Sequence, residues 1–175
     1  MSDHHGSVDE GGEAPCYAHL LEGGDGESDA ILAQVLVNLA DAVVVADSEG
    51  RITFWNAAAT RLFGFSRTEA VGQTLDMIIP ERLRERHWTG YRETMLTGET
   101  KYGDRLLEVP AVHRDGRSLS IAFTVTLLHR EGARRPFAIA AVIRDDTERW
   151  QERKRLRAEN AELRAARDST DEPIR

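Results

Sequence analysis

Between Ser118 and Leu128 the chain alternates. Its odd positions are Leu119, Ile121, Phe123, Val125 and Leu127, and its even positions run through Ser118, Ser120, Ala122, Thr124 and Thr126 to Leu128. A period of two held over this length predicts a long strand with one face buried. Such a strand needs a sheet beside it and an apolar layer against it. Leu106–His113 precedes it across the turn sequence Arg114-Asp115-Gly116-Arg117, so the two segments form a hairpin. Pro110 cannot donate a ladder hydrogen bond, which sends the earlier strand to a sheet edge. Beyond Glu131-Gly132, Phe137–Ile143 adds a third strand.

The first half of the chain follows a different rhythm. Ala30–Leu39 spaces Ile31, Val35 and Leu39 as an amphipathic helix does. Ala42–Ala46 and Arg51–Trp55 are β-prone runs separated by Asp47-Ser48-Glu49-Gly50, a second hairpin signal. Asn56 stands as an N-cap before a helix over Ala57–Phe63 that Gly64 ends. Ser66 and Glu69 have capping-box spacing for another short helix, closed by Gly72. Pro80 suits the first turn of a longer helix that runs to about Leu96 and stops at Thr97-Gly98. Two strands, several helices and three strands, without βαβ alternation, predict an α+β domain: an antiparallel sheet with its helices on one face.

Charge divides the chain further. Residues 1–29 hold eight acidic side chains and no Lys or Arg, with six Gly, so they read as a disordered acidic leader. The net charge of −7 therefore belongs to the leader, and the rest of the chain is nearly neutral. This balance argues against bulk electrostatic binding to nucleic acid or an anionic membrane. No apolar run is long enough to span a bilayer and no signal peptide is evident, so a cytoplasmic protein is expected. Cys16, the only cysteine, excludes an internal disulfide and a thiolate metal cage. His4 and His5 in the leader read as incidental, and Tyr17–Leu21 as a short patch able to dock on the domain.

Specific residues then carry a resemblance. They are Ala42-Val43-Val44-Val45-Ala46-Asp47, Gly50 to Ala57, Leu62-Phe63-Gly64-Phe65, Glu69-Ala70-Val71-Gly72, Arg114 to Arg117, and Ile143-Arg144-Asp145-Asp146-Thr147-Glu148-Arg149. The last resembles the Asp-Ile-Thr exit of PAS modules, with Asp146 in place of Ile. Taken together over residues 30–149 these motifs are similar to a PAS domain. The resemblance implies a five-stranded antiparallel sheet in the order 2-1-5-4-3, which puts the Pro110 strand on an edge. It also implies a sensory and interaction module, not an enzyme, with roles in signal transduction and regulation of transcription. The expected domains are residues 1–29 as leader, 30–146 as PAS domain, 147–168 as signalling and dimerisation helix, and 169–175 as tail.

PAS modules often hold a small ligand between the sheet and the long helix. On that helix Leu83, His87 and Tyr91 are successive four-residue neighbours, with Thr94, two turns beyond His87, nearly in line with Leu83. Gly90 offers reduced bulk beside the imidazole. If this stripe faces the sheet, His87 points inward and can ligate haem iron through a neutral ring nitrogen. The stretch Arg84 to Tyr91, followed by Thr97-Gly98-Glu99, also resembles the helix that carries the proximal His of oxygen-sensing haem PAS proteins. That resemblance implies haem b on His87, with Tyr91 and Leu83 beside it and Leu119, Ile121, Phe123 and Val125 as apolar walls. Arg84, Arg86, Arg92 or Arg105 would meet the propionates. The chain departs from those sensors at Leu107, where they place an Arg that answers bound gas; Arg105 lies two residues earlier. The alternatives are no cofactor, a small organic ligand met by Arg105 or His113, or a non-covalent flavin met by Trp55, Trp88 and Asn56. A flavin-adduct or thioester-linked chromophore lacks the pocket cysteine it needs.

Thr147–Arg167 is rich in Ala, Glu, Arg and Leu, free of Gly and Pro, and reads as an exit helix. Leu156 and Leu163 at d positions with Asn160 at a describe a short parallel dimer seam, with Arg153 and Arg167 at the neighbouring a-type positions. The basic run Arg153–Arg157 is interleaved with Glu, so direct nucleic-acid contact is not expected. The expected partners are a second copy and a downstream signalling protein.

Overall fold

The structure, a computed structural model, describes residues 26–100 and 105–170, with side chains as far as Arg164. The leader through residue 25, including His4, His5, Cys16 and Tyr17–Leu21, lies outside the described residues. The described residues fall into two units, the second beginning at Leu36. Helix α1, Gly26–Asn38, begins four residues earlier than the periodicity suggests, within the stretch read as leader. Glu27 and Asp29 in its first turn complement the positive end of the helix dipole. None of its side chains is buried, and Ile31 and Val35 are each more than half exposed.

The second unit carries the sheet. Strands β1 (Ala42–Asp47), β2 (Ile52–Trp55), β3 (Leu107–Val112), β4 (Ser118–Leu128) and β5 (Ala138–Asp145) form one five-stranded sheet in the order β2-β1-β5-β4-β3. Each pairing is antiparallel, and β3, with Pro110, is an edge strand as its missing donor requires. Register sets the faces. Leu107 pairs with Phe123, Phe123 with Ile143, and Ile143 with Ala42. Leu107, Val109, Ala111 and the odd positions of β4 therefore share one face with Ile143, Ala141, Ile139 and with Ala42, Val44 and Ala46.

That face meets the helical layer. Helix α2 (Ala57–Phe63) and the single-turn α3 (Arg67–Ala70) bury Ala58, Ala59, Phe63 and Ala70 beside Trp55, Ile52, Leu119 and Ile121 in the main core. Asn56 starts α2 for a definite reason. Its Oδ1 accepts from Ala59 N at 2.9 Å and Val43 N at 3.0 Å, and its Nδ2 donates to the carbonyls of Asp41 and Leu36. One buried amide thus caps the helix and ties it to β1. The Ser66–Glu69 capping box starts α3 in both directions. The long helix α4 (Glu81–Thr97) ends at Gly98, whose φ of 73° is the left-handed cap glycine favours. The exit helix α5 spans Thr147–Thr170.

Candidate functional site

Helix α4 supplies the chemistry. Its buried residues are Tyr91 and Met95, one turn apart, packed with Ala46 of β1 and flanked by Leu75, Trp88 and Ile139. The stripe through Leu83, His87 and Tyr91 thus continues to Met95 and turns toward the sheet at its far end. Leu83, His87 and Thr94 are half-buried. Gly90 is exposed and a Cβ there would meet nothing, so it removes no bulk beside His87. The buried side of the helix turns through Tyr91 and Met95, away from Gly90, so Tyr91 is the neighbour that counts.

Aromatic rings enclose the imidazole. His87 meets Trp88 edge-on at 4.9 Å between centroids and lies tilted on Tyr91 at 5.7 Å, and Trp88 and Tyr91 meet at 5.6 Å. Polar bonds hold these two partners in place. Trp88 Nε1 donates to Asp76 Oδ1 at 2.8 Å, and Tyr91 Oη donates to the Asp47 carbonyl at 2.6 Å. Arg84 donates to the carbonyls of Asp76 and Ile79 and so pins the turn carrying Asp76 to the start of the helix. Gly50, at φ 76°, lets the β1–β2 turn lie flat on the Trp88 ring; a Cβ there would sit 2.2 Å from it. The Tyr91 hydroxyl is thereby committed to backbone, and burial raises its pKa well above the ordinary 10.

His87 differs from its neighbours. Its Nδ1 is buried and has no hydrogen-bond partner. Burial holds the imidazole below the ordinary 6.5, against an opposing pull from the Asp76 carboxylate. According to its tautomer, a ring nitrogen of a neutral imidazole can donate or accept a hydrogen bond, or ligate a metal. Leaving such an atom unpaired costs about 1–3 kcal/mol, so a partner there is favoured.

The strand residues separate into two groups. Leu119 and Ile121 are 6% and 5% exposed, sealed in the main core with Trp55 and Phe63. Leu107, Phe123 and Val125 occupy the same sheet face but stay half-buried, so the helical layer leaves this part of the face incompletely covered. Arg105 is exposed, just before β3 begins. A groove of about 350 Å³ opens elsewhere, between β1, β5 and α2, among Asp41, Ala58, Arg61, Leu62, Ile143 and Arg144; His87 is not in its walls. Asp76, Asp47 and Met95 lie outside the set that the sequence points to. Only Met95 carried a signal, since it continues the four-residue stripe. The other two act through contacts across 12 and 44 residues.

Similarity to known proteins agrees with this architecture. Residues 30–145 match the PAS fold family. The chain is 30% identical over 132 residues to the sensor protein FixL of Bradyrhizobium diazoefficiens, covering 75% of this chain and 26% of that one. It is 26% identical over 155 residues to the oxygen sensor protein DosP of Escherichia coli, covering 88% of this chain and 18% of that one. It therefore spans about a quarter or less of these relatives. Among solved structures, a PAS domain from Colwellia psychrerythraea superposes with a TM-score of 0.59 at 24% identity, over 68% of this chain and 97% of that one. Among the described residues no helix is long and apolar enough to cross a membrane. By fold, strand order and sequence match, the chain belongs to the PAS family.

Proposed function

We propose that this PAS sensory domain binds haem through His87 and reads gas or redox state. The buried, unpartnered Nδ1 of a neutral His87 carries the reading. The residues fit the group. The imidazole is kept in its ligating form by burial, and the half-covered face of Leu107, Phe123 and Val125 offers apolar area to a flat macrocycle. Leu83 adds to that wall from α4. Leu119 and Ile121 back it from the sealed core, and Tyr91 supports His87 through its ring rather than its hydroxyl. Haem, when bound, supplies an iron centre whose ligation and oxidation state change with the signal. Leu107 places no donor at the start of β3. Arg105, two residues earlier and exposed, is the basic group available there, as a distal donor or for a propionate. That the chain is 26% identical to an oxygen sensor supports the reading.

The output in this reading passes through α5 to a second copy and then to a signalling protein, in the cytoplasm and without catalysis. The decisive measurement is an absorbance spectrum after reconstitution with haem. The native protein is expected to show a Soret band, and His87→Ala to lose it while far-ultraviolet circular dichroism is unchanged. A colourless native protein overturns the haem reading and leaves a cofactor-free module or another small ligand.

A further inference from the structure

Asp146 is one of two buried polar residues described, 4% exposed, and it stands at the junction of β5 and α5. A carboxylate there needs a cation. Arg153, seven residues along α5, provides it. Its Nη2 lies 2.6 Å from Asp146 Oδ2, and the same guanidinium makes a fork to Glu108, Nη1 to Oε1 and Nη2 to Oε2, both at 3.0 Å. Arg149 adds a longer approach to Asp146 at 3.7 Å. One planar cation thus joins a buried carboxylate on the junction to a carboxylate on edge strand β3. A separate anchor lies below it. Asp146 N donates to Ser120 O at 2.8 Å, and Ser120 N donates to Thr147 Oγ1 at 3.0 Å. That pair holds the first residues of α5 against β4 but leaves the direction of the helix free. The fork at Arg153 is nearly two turns further out and supplies the second point that a direction requires.

Glu108 is also placed to report on the sheet. Neighbouring side chains of a strand point to opposite faces. Leu107 and Val109 face the helical layer, and Glu108, between them, faces the other way toward Arg153. We propose that Glu108, Arg153 and Asp146 form a clamp that sets the direction of the exit helix and redirects it when β3 shifts. The inference stands whether or not a ligand binds at His87. It also assigns Arg153, an a-type position by heptad count, to the domain and not to a dimer seam. The seam of Leu156, Asn160 and Leu163 begins within a turn of the clamp, so turning the helix there turns the seam.

The test uses the full chain with nitroxide labels on Glu131→Cys and Glu159→Cys in a Cys16→Ser background, diluted with unlabelled protein, measured by electron–electron double resonance without haem. One narrow distance is expected with the clamp intact. Glu108→Gln, a conservative change at an exposed site, and Arg153→Met are each expected to broaden it, the double variant no more than either, at unchanged helicity. Leu107→Trp, which crowds the inner face, is expected to shift the distance, and the shift to vanish in the Glu108→Gln background. A distribution unmoved by Glu108→Gln, no shift with Leu107→Trp, or a shift that survives Glu108→Gln overturns the proposal. Since no haem is present, failure of the ligand reading leaves this result untouched.

Discussion

The environment of His87 has a consequence that acid reveals. Burial holds the folded imidazole below 6.5, its ordinary value and the one it regains on unfolding. As pH falls through 6.5 the unfolded chain takes up a proton that the folded chain refuses. Stability contributed by the neutral form is therefore present above 6.5 and lost as pH drops toward the folded value. His87→Leu removes that titration. Urea unfolding at about pH 7.5 and about pH 5.5 is expected to show a smaller loss of stability on acidification in His87→Leu than in the native protein. An equal loss in both would mean that other groups carry the acid response and that His87 is more solvated than its Nδ1 indicates. The buried nitrogen was only partly legible beforehand. The four-residue spacing of Leu83, His87 and Tyr91 put His87 on the inward stripe. The rings around it and the missing partner depend on where Asp76 and Gly50 arrive from elsewhere in the chain.

At the scale of elements, helix α4 is held by what it lies against. Its own sequence is polar, and only Tyr91 and Met95 are buried. Its docking rests on Trp88 over Gly50 and Tyr91 bonded to Asp47, both against one turn. Gly50→Ala would have to hold φ near 76° and push the Trp88 ring aside. The expected cost is about 2–3 kcal/mol, read as a lower urea midpoint with altered tryptophan fluorescence. An unchanged midpoint would show that the turn and the helix do not pack as described. Local rules identified most elements here. The period-two run of β4, the Asn56 cap, the Ser66–Glu69 box and the edge position of Pro110 each follow from one short segment and recur in the fold. What escaped was long-range: the 3-10 turn Leu75–Met77 that presents Asp76, and the Glu108–Arg153 fork across 45 residues. Neither has a periodic trace, because each depends on which backbone passes nearby and not on the residues beside it.

For the whole molecule, the question is how the domain meets another protein. Leu156 and Leu163 on α5 are 45% and 63% exposed, with Asn160 between them donating to the Leu156 carbonyl. If they form the dimer seam, the native chain sediments as a dimer at micromolar concentration, and Leu156→Ser with Leu163→Ser as a monomer of unchanged fold. A native monomer would remove the second copy from the proposed output. The sheet itself narrows the other routes. On the β2 side, Ile52 N donates to Gln73 O and Gly72 N to Ile52 O, so residues 72–75 already occupy that border. On the β3 side, Val112 N donates to Ile78 O and Pro110 has no N–H to offer. Each border is thus partly occupied, which disfavours a sixth strand added from outside. Strand addition, a frequent means of recognising extended peptides, is therefore disfavoured here. A partner is then expected to read side chains of the domain, and the same partly occupied borders work against edge-to-edge association of its copies.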